Sequence, residues 1–321
     1  MFRYLLRRLI ASIPILIGVS ILIFLAIRLV PGDAVTATLG TEAGMLSPEQ
    51  RESLRSYYGL DRPIVEQYFY WVGQALQGNL GLSIRQGKPV LDLIVDRFPL
   101  TLELAILAVS IALVVGIPLG LISAIRHNTL LDLVARLFAL VGLSMPSFLV
   151  GTLIIFVLSV GFHILPNSGD YVSFTQDPSR NLQQLFFPAI TLGFAFSASV
   201  MRMTRSSMLE VLSEDYVRTA RSKGLHESRV IIRHALGNAL IPVVTLIGIE
   251  MGYLLGGTFI VEQLFALPGL GRLLVNAISQ REYALVQGVV LFIALNFVII
   301  NLIVDVIYSV IDPRISYDSH N

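Results

Sequence analysis

Two places in this chain hold the residue types that could do chemistry. The first is residues 214–242, EDYVRTARSKGLHESRVIIRHALGNALIP, which gather Arg218, Arg221, Lys223, Arg229 and Arg233 around Glu214, Asp215 and Glu227. The second is Glu250, alone in the apolar run TLIGIEMGYLLGG. The first set can form ion pairs and seat on another surface. The second is a carboxylate at membrane depth, costly by about 2.5–3.5 kcal/mol on insertion scales, and such groups face a cavity or a partner. Neither set resembles a catalytic centre. The chain has no cysteine, so thiolate chemistry, disulfides and Cys-ligated metals are excluded. It carries no Gly-rich phosphate loop ending in Gly-Lys-Ser/Thr, no His-Glu-x-x-His pair and no Gly-x-Ser-x-Gly turn. The five histidines, His127, His163, His226, His234 and His320, are scattered and read as surface residues.

The elements that must hold these groups are membrane spans. Hydrophobic residues make up 55% of the 321, charged residues only 14%, and mean hydropathy is +0.75. A soluble domain would need far more surface charge, and a formal net charge of +1 gives no case for a nucleic-acid partner. Six regions have the ~20 apolar residues that a spanning helix needs, at about 9–30, 101–124, 132–160, 187–204, 239–261 and 284–311. The first follows Arg3, Arg7 and Arg8, and its apolar run exceeds that of a signal core, so it reads as a retained span. Pro14, Pro118, Pro146 and Pro242 fall inside spans. Neighbouring helices can re-satisfy the backbone groups that such prolines free, and SMPSFLVG predicts a bent third span inside a bundle.

Basic residues set the orientation. One set of flanks carries Arg3, Arg7, Arg8, Arg126, Arg136, Arg202, Arg205, the five basic residues of 214–233, and Arg314. The opposite short loops carry only Arg180, Arg272 and Arg281. Both termini and the 214–242 stretch are therefore expected in the cytoplasm, and 31–100 outside. In that outer segment Ser47-Pro48-Glu49 is a helix start and Gly59 a stop. A second helix, PIVEQYFYWVGQAL, carries Tyr68, Phe69, Tyr70 and Trp71, which suit a membrane–water interface. It fits a cap on the bundle or a docking face for an external partner. Arg28 is placed to snorkel to the outer interface, and Glu103 is interfacial. Asn296, Asn301 and Asp305 on the last span suit interhelical hydrogen bonds.

The spacing over 214–224 is helical. Glu214 stands four residues before Arg218, the favourable order for an ion pair, and Gly224 can supply the left-handed residue that ends the helix. Val217, Ala220, Gly224 and Leu225 form a small apolar face ringed by charge. A charged loop obeying the positive-inside rule needs no such face. A face of small residues lets another backbone approach, which favours docking into a groove on a partner. A second helical run begins near Ser228 and leads through Pro242 into the fifth span.

The same stretch, DYVRTARSKGL…RHALGNALIPVVT, resembles the cytoplasmic EAA loop of binding-protein-dependent ABC importer permeases, in their dipeptide/oligopeptide/nickel branch. RRLIASIPILIGVSILIFLAIRLVPGD, YGLDRPIVEQYFYWV…GNLGLSI, VEQLFALPGLGRLLVNAISQREYALVQGVVL and NLIVDVIYSVIDPRI resemble that branch in the same order, so the likeness covers nearly the whole chain. Arg218-Thr219-Ala220 stand where the general motif has Glu-Ala-Ala, and Gly237 where the branch often has a basic residue. The resemblance implies an all-α, six-span type I permease bundle with an outer helical segment. Its divisions are 1–30, 31–100 outside, a 101–311 core with a coupling loop at about 205–238, and a 312–321 tail.

Asp215, Tyr216, Val217, Arg218, Thr219, Ala220, Arg221, Lys223, Gly224 and Leu225 would be the coupling helix, seated on a separate ATPase. The implied partners are a second homologous permease, two cytoplasmic ABC ATPases holding ATP and Mg, and an external solute-binding protein delivering a peptide or similar solute. The chain itself is expected to be non-catalytic, metal-free and multi-pass in the inner membrane. Two readings of Glu250 stay open: a helix–helix contact, or the translocation path together with Gly252, Gly256 and Gly257. From another class, a self-sufficient channel or secondary carrier would need no docking helix and would more often show an internal repeat.

Overall fold

The computed structural model describes residues 2–29, 47, 49–50, 53, 61–164, 166 and 170–311. The outer helix expected from Ser47 to Gly59 lies mostly outside the described residues, as does the 312–321 tail. Its start is visible. The Gln50 N–H donates to Ser47 Oγ at 3.1 Å and the Ser47 N–H to Gln50 Oε1 at 2.9 Å, a reciprocal cap.

The described chain is helical, with no strand and a single isolated bridge between Leu82 and Pro89. Helix α1 is Phe2–Leu29, α2 Ile64–Leu76 and α3 Val90–Ile125. Next come α4, Leu130–Ser144, and α5, Ser147–Phe156, which runs on as a π turn, Val157–Gly161. Then α6 is Pro178–Leu212, α7 Asp215–Ser222, α8 Glu227–Ala239 (mostly π-helical), α9 Ile241–Gly257, α10 Phe259–Leu264, α11 Leu270–Ser279 and α12 Tyr283–Ile311. Among the described residues four helices are long and apolar enough to span a membrane alone, and the number reaches the expected six where each of the bent pairs α4–α5 and α8–α9 counts as one span.

The prolines do not all break their helices. Pro14, Pro99, Pro118 and Pro188 sit inside continuous helices. At Pro146 the chain bends by 101°, because the preceding Met145 is extended with ψ of 122°, the conformation that a following proline imposes. The α8–α9 junction bends by 45° just before Pro242. Helix α6 has a strong start: Pro178 occupies the first turn and Asp177 Oδ1 accepts from the Ser179 and Arg180 N–H groups. Helix α3 begins eleven residues before the apolar window that defined the second span. Val90, Leu93 and Ile94 of its first turns are buried against α11 and α12, so the helix runs through residue 100, where hydropathy had placed a boundary.

Helices α3 and α6 form the centre of the bundle. A Cβ added at Gly116 would lie 2.7 Å from the Ser197 carbonyl oxygen, and one at Gly120 2.6 Å from that of Met201. Only glycine lets the two backbones come this close, and a small-x-x-x-small pair is a recurrent means of packing membrane helices. Ala135, Ala139 and Gly142 bring α4 onto α6 beside Ala198. Gly248 and Gly252 bring α9 onto Val304 and Phe297 of α12.

Helix α2 leans on the C-terminal part of α1. The hydroxyls of Tyr68 and Ser20 meet at 2.8 Å, and Phe24 packs edge-on to Tyr68 and beside Trp71. Arg28, expected to reach the outer interface, is engaged by α1 and α2. Its guanidinium lies 3.4 Å above the Phe24 ring and donates twice to Gln67 Oε1, at 3.0 and 2.8 Å. A cation over an aromatic ring gains from the ring's negative face. Val65, Phe69 and Leu76 remain exposed.

Candidate functional site

The loop between α6 and α9 is built around α7. Its helix ends where the spacing predicts, with Gly224 at φ +73°, a conformation that costs a residue with a Cβ about 1–2 kcal/mol. The expected Glu214–Arg218 pair is replaced by Asp215–Arg218 at 3.1 Å, and Arg218 Nη2 also donates to the Ser213 carbonyl. Asp215 is 93% exposed, so this pair adds little stability.

The small apolar face is not presented to solvent. Val217 and Ala220 are buried against Val230 of α8, with Val211, Leu212 and Leu225 packed around them. The expectation that this face fills a partner's groove is corrected: the chain's own α8 covers it. Two polar contacts strengthen the clamp. Arg221 Nε and Nη2 both donate to the Glu227 carboxylate, the shortest contact being 2.8 Å, and Asn238 Nδ2 donates to the Tyr216 hydroxyl at 2.7 Å. Facing outward are Asp215, Tyr216, Arg218, Thr219, Arg221, Lys223 and Gly224. Helix α7 is therefore a polar row held rigidly by α8, and α8 continues into α9 through the 45° bend.

Glu250 lies midway along α9 and is half-buried. Its carboxylate makes no hydrogen bond or ion pair among the described residues. Gly252 is buried with the Phe297 ring over it, Gly256 is exposed, with room for a Cβ that would lie 3.5 Å from Ile293 of α12, and Gly257 closes the helix. Gly248 and Gly252 thus mark the face of α9 that packs on α12. Glu250, two residues from each, points to the other side, flanked by the exposed Ile249 and Tyr253.

On the last span, Asp305 reaches Arg8 of α1 at 3.3 Å, an interhelical contact as expected. Asn296 and Asn301 instead donate to their own helix, to the Phe292 and Phe297 carbonyls. An amide four residues after a free carbonyl lone pair satisfies itself locally. Glu103 accepts from the Tyr171 hydroxyl and from Asn181 Nδ2, at 3.1 and 3.0 Å.

Three carboxylates among the described residues, Asp132, Glu262 and Glu282, are buried without having been expected so from the sequence. Asp132, with no exposed side-chain surface, accepts from Arg205 Nε at 2.8 Å, Arg205 Nη2 at 3.1 Å, Ser123 Oγ at 2.6 Å and the Asn128 N–H at 3.0 Å. It locks the end of α3, the start of α4 and α6 together. Glu262, also fully buried, accepts from Thr101, from Thr258 and from the Arg272 N–H, all at 2.8 Å, and so holds the first turn of α11. Part of each network is local, with Asn128 and Arg136 (3.6 Å) four residues from Asp132 and Thr258 four from Glu262, but Arg205 and Thr101 lie 73 and 161 residues away.

Residues 116–317 match the family model described as binding-protein-dependent transport system inner membrane component. Residues 1–105 match the N-terminal component of such systems. The chain is 41% identical over 317 residues to the glutathione transport system permease protein GsiC of Escherichia coli K12, covering 99% of this chain and 100% of that protein. It is 41% identical over 339 residues to the dipeptide transport system permease protein DppB of the same strain, covering 99% of each. Among solved structures, the MetNI methionine ABC transporter in inward facing conformations is similar with a TM-score of 0.54 at 16% identity, over 68% of this chain and 96% of that one. An amino acid ABC transporter has a TM-score of 0.50 at 19% identity, over 70% and 94%. At these identities the structures show a shared fold: an all-α ABC importer permease bundle.

Proposed function

The chain belongs to the family of binding-protein-dependent transport system inner membrane components, and from that premise we propose that it is the permease subunit of an ABC importer for a small peptide or similar solute. The observation that carries this is the 41% identity, over essentially the full length of both, to permease proteins named for glutathione and dipeptide transport. The protein is multi-pass in the inner membrane, and its basic flanks put the termini and α7 on the cytoplasmic side.

The rest of the machine lies on other chains. A second homologous permease would complete the path, and two ATPase subunits would hold ATP and Mg. The chain's own part is path and lever, with no catalytic group. The outward row of α7, Asp215, Tyr216, Arg218, Thr219, Arg221 and Lys223, would seat in a cleft of an ATPase subunit. Closure of the ATPases would carry α7 with α8, because Val217, Ala220, Arg221 and Tyr216 bind the two together. Helix α8 runs into α9, so the motion reaches Glu250. We assign Glu250 to the translocation path, whereas Gly252, expected beside it there, packs under Phe297 on the opposite face of α9 and is not part of that assignment. There an unpaired carboxylate would attract a peptide's cationic amino end.

The test is a tagged purification from native membranes in mild detergent. Two ATPase chains and a second permease should accompany this one, and the complex in liposomes should take up peptide only with ATP and the binding protein. A chain that purifies alone and moves solute without ATP would make it a channel or carrier.

A further inference from the structure

The outer end of the bundle holds a cavity of about 400 Å³ between the 79–89 loop, α3, α11 and the start of α12. Two arginines, Arg97 and Arg272, are among the residues that line it, together with Gln86, Asn276 and Gln280. Its one carboxylate, Glu282, is 3% exposed and accepts from the Ser83 hydroxyl. Two cations thus face one anion that is already engaged.

The arginines are placed by the fold. The Arg272 N–H is held at 2.8 Å by the fully buried Glu262, which fixes that turn of α11, while its guanidinium has no partner among the described residues. Arg97 makes one long bond, from Nη1 to the Pro268 carbonyl at 3.3 Å, and keeps its other donors free. A pair of half-buried guanidiniums on rigid helices suits a carboxylate, which Arg binds in a bidentate fork.

We propose that this cavity receives an acidic side chain of the external binding protein and fixes how that protein docks. The proposal rests on the importer reading above. Position selects a protein as the occupant. Helix α3 has 36 residues, about 54 Å at 1.5 Å each, against a hydrocarbon layer of roughly 30 Å. Arg97 precedes the apolar window that opens at residue 101. The cavity therefore stands clear of the lipid tails, where a soluble partner approaches. Charge steering of that kind sets both orientation and encounter rate.

The test uses the intact transporter in phosphatidylcholine nanodiscs. The probe is the soluble binding protein that crosslinks to it in whole cells, purified and fluorescently labelled. Variants Arg97→Gln, Arg272→Gln and the double are compared with Arg180→Gln, an exposed arginine elsewhere on the outer face, and co-purifying ATPase subunits report intact assembly. The double variant should raise the dissociation constant tenfold or more and flatten its salt dependence, with Arg180→Gln near wild type. Equal binding by the double variant, or an equal loss in Arg180→Gln, would overturn the proposal. A loss seen only when anionic lipid is added would also overturn it, by identifying the occupant as a lipid headgroup. If the wild-type transporter binds no such protein, the importer reading itself falls.

Discussion

Replacing Asp132 with leucine should cost about 3 kcal/mol, and replacing Arg205 with methionine in the same chain should restore most of it. The carboxylate has no exposed surface and satisfies two nitrogens of Arg205, the Ser123 hydroxyl and the Asn128 N–H. Removing one member of a buried ion pair costs about 3–5 kcal/mol, because the other charge is left uncompensated. The lower end applies here. Arg205 keeps 20% of its side chain in contact with solvent, and Ser123 can turn its hydroxyl to a carbonyl of its own helix. With both partners apolar the only charge that loses a contact is Arg136, whose side chain is 51% exposed, so the double variant should cost far less than the sum of the two single substitutions. The measurement is thermal unfolding in mild detergent, followed by circular dichroism. The single variant should melt about 5–10 °C below wild type and the double variant within a few degrees of it. If Asp132→Leu melts with wild type, or the double variant is no better than the single, the pair does not hold these helices.

Gly120→Ala should destabilise by about 1–3 kcal/mol, since its Cβ meets a backbone carbonyl that cannot yield. Gly237→Ala, with nothing within 4 Å of its Cβ, should not; equal melting temperatures for the two would contradict the close α3–α6 approach. On α7, Val217→Asp should lower thermal stability, whereas Arg218→Glu should abolish co-purification of the ATPase subunits at unchanged stability. The reverse pattern would mean that the buried and outward rows are exchanged in the complex. Trp71 is the chain's one tryptophan, so Phe24→Ala should shift its emission to longer wavelength as α2 loosens from α1. An unmoved spectrum would show that α2 does not depend on that contact.

Hydropathy made the six spans legible, and the phi-positive end of α7 was legible in Gly224. Asp177-Pro178 and Gly116-x-x-x-Gly120 carry local signals for the start of α6 and for the α3–α6 contact. Where the sequence misled, the cause was physical. The periodicity of Val217 and Ala220 reports an apolar stripe but not what covers it, and α8 of the same chain proved to be the cover. Arg205 looks like an ordinary positive-inside charge, because its pairing with Asp132 forms only once α4 folds back on α6. Arg28 found the ring of Phe24 in its own helix and an amide in α2, a helix whose placement depends on contacts 39 and more residues away.

The two rows of α7 can change at different rates over generations. The inward row, Val217 and Ala220, is tied to α8, and a substitution there disturbs the loop's shape. The outward row touches mostly water in this chain, so its residues can be exchanged at little cost to folding. A lineage could therefore alter Asp215, Arg218 or Lys223 in step with a changing ATPase cleft, without rebuilding the bundle. It could equally keep one transporter in a cell from engaging the motor of another. Shape would be inherited through the buried row and partner identity through the exposed one, two traits that a single eight-residue helix lets selection adjust separately.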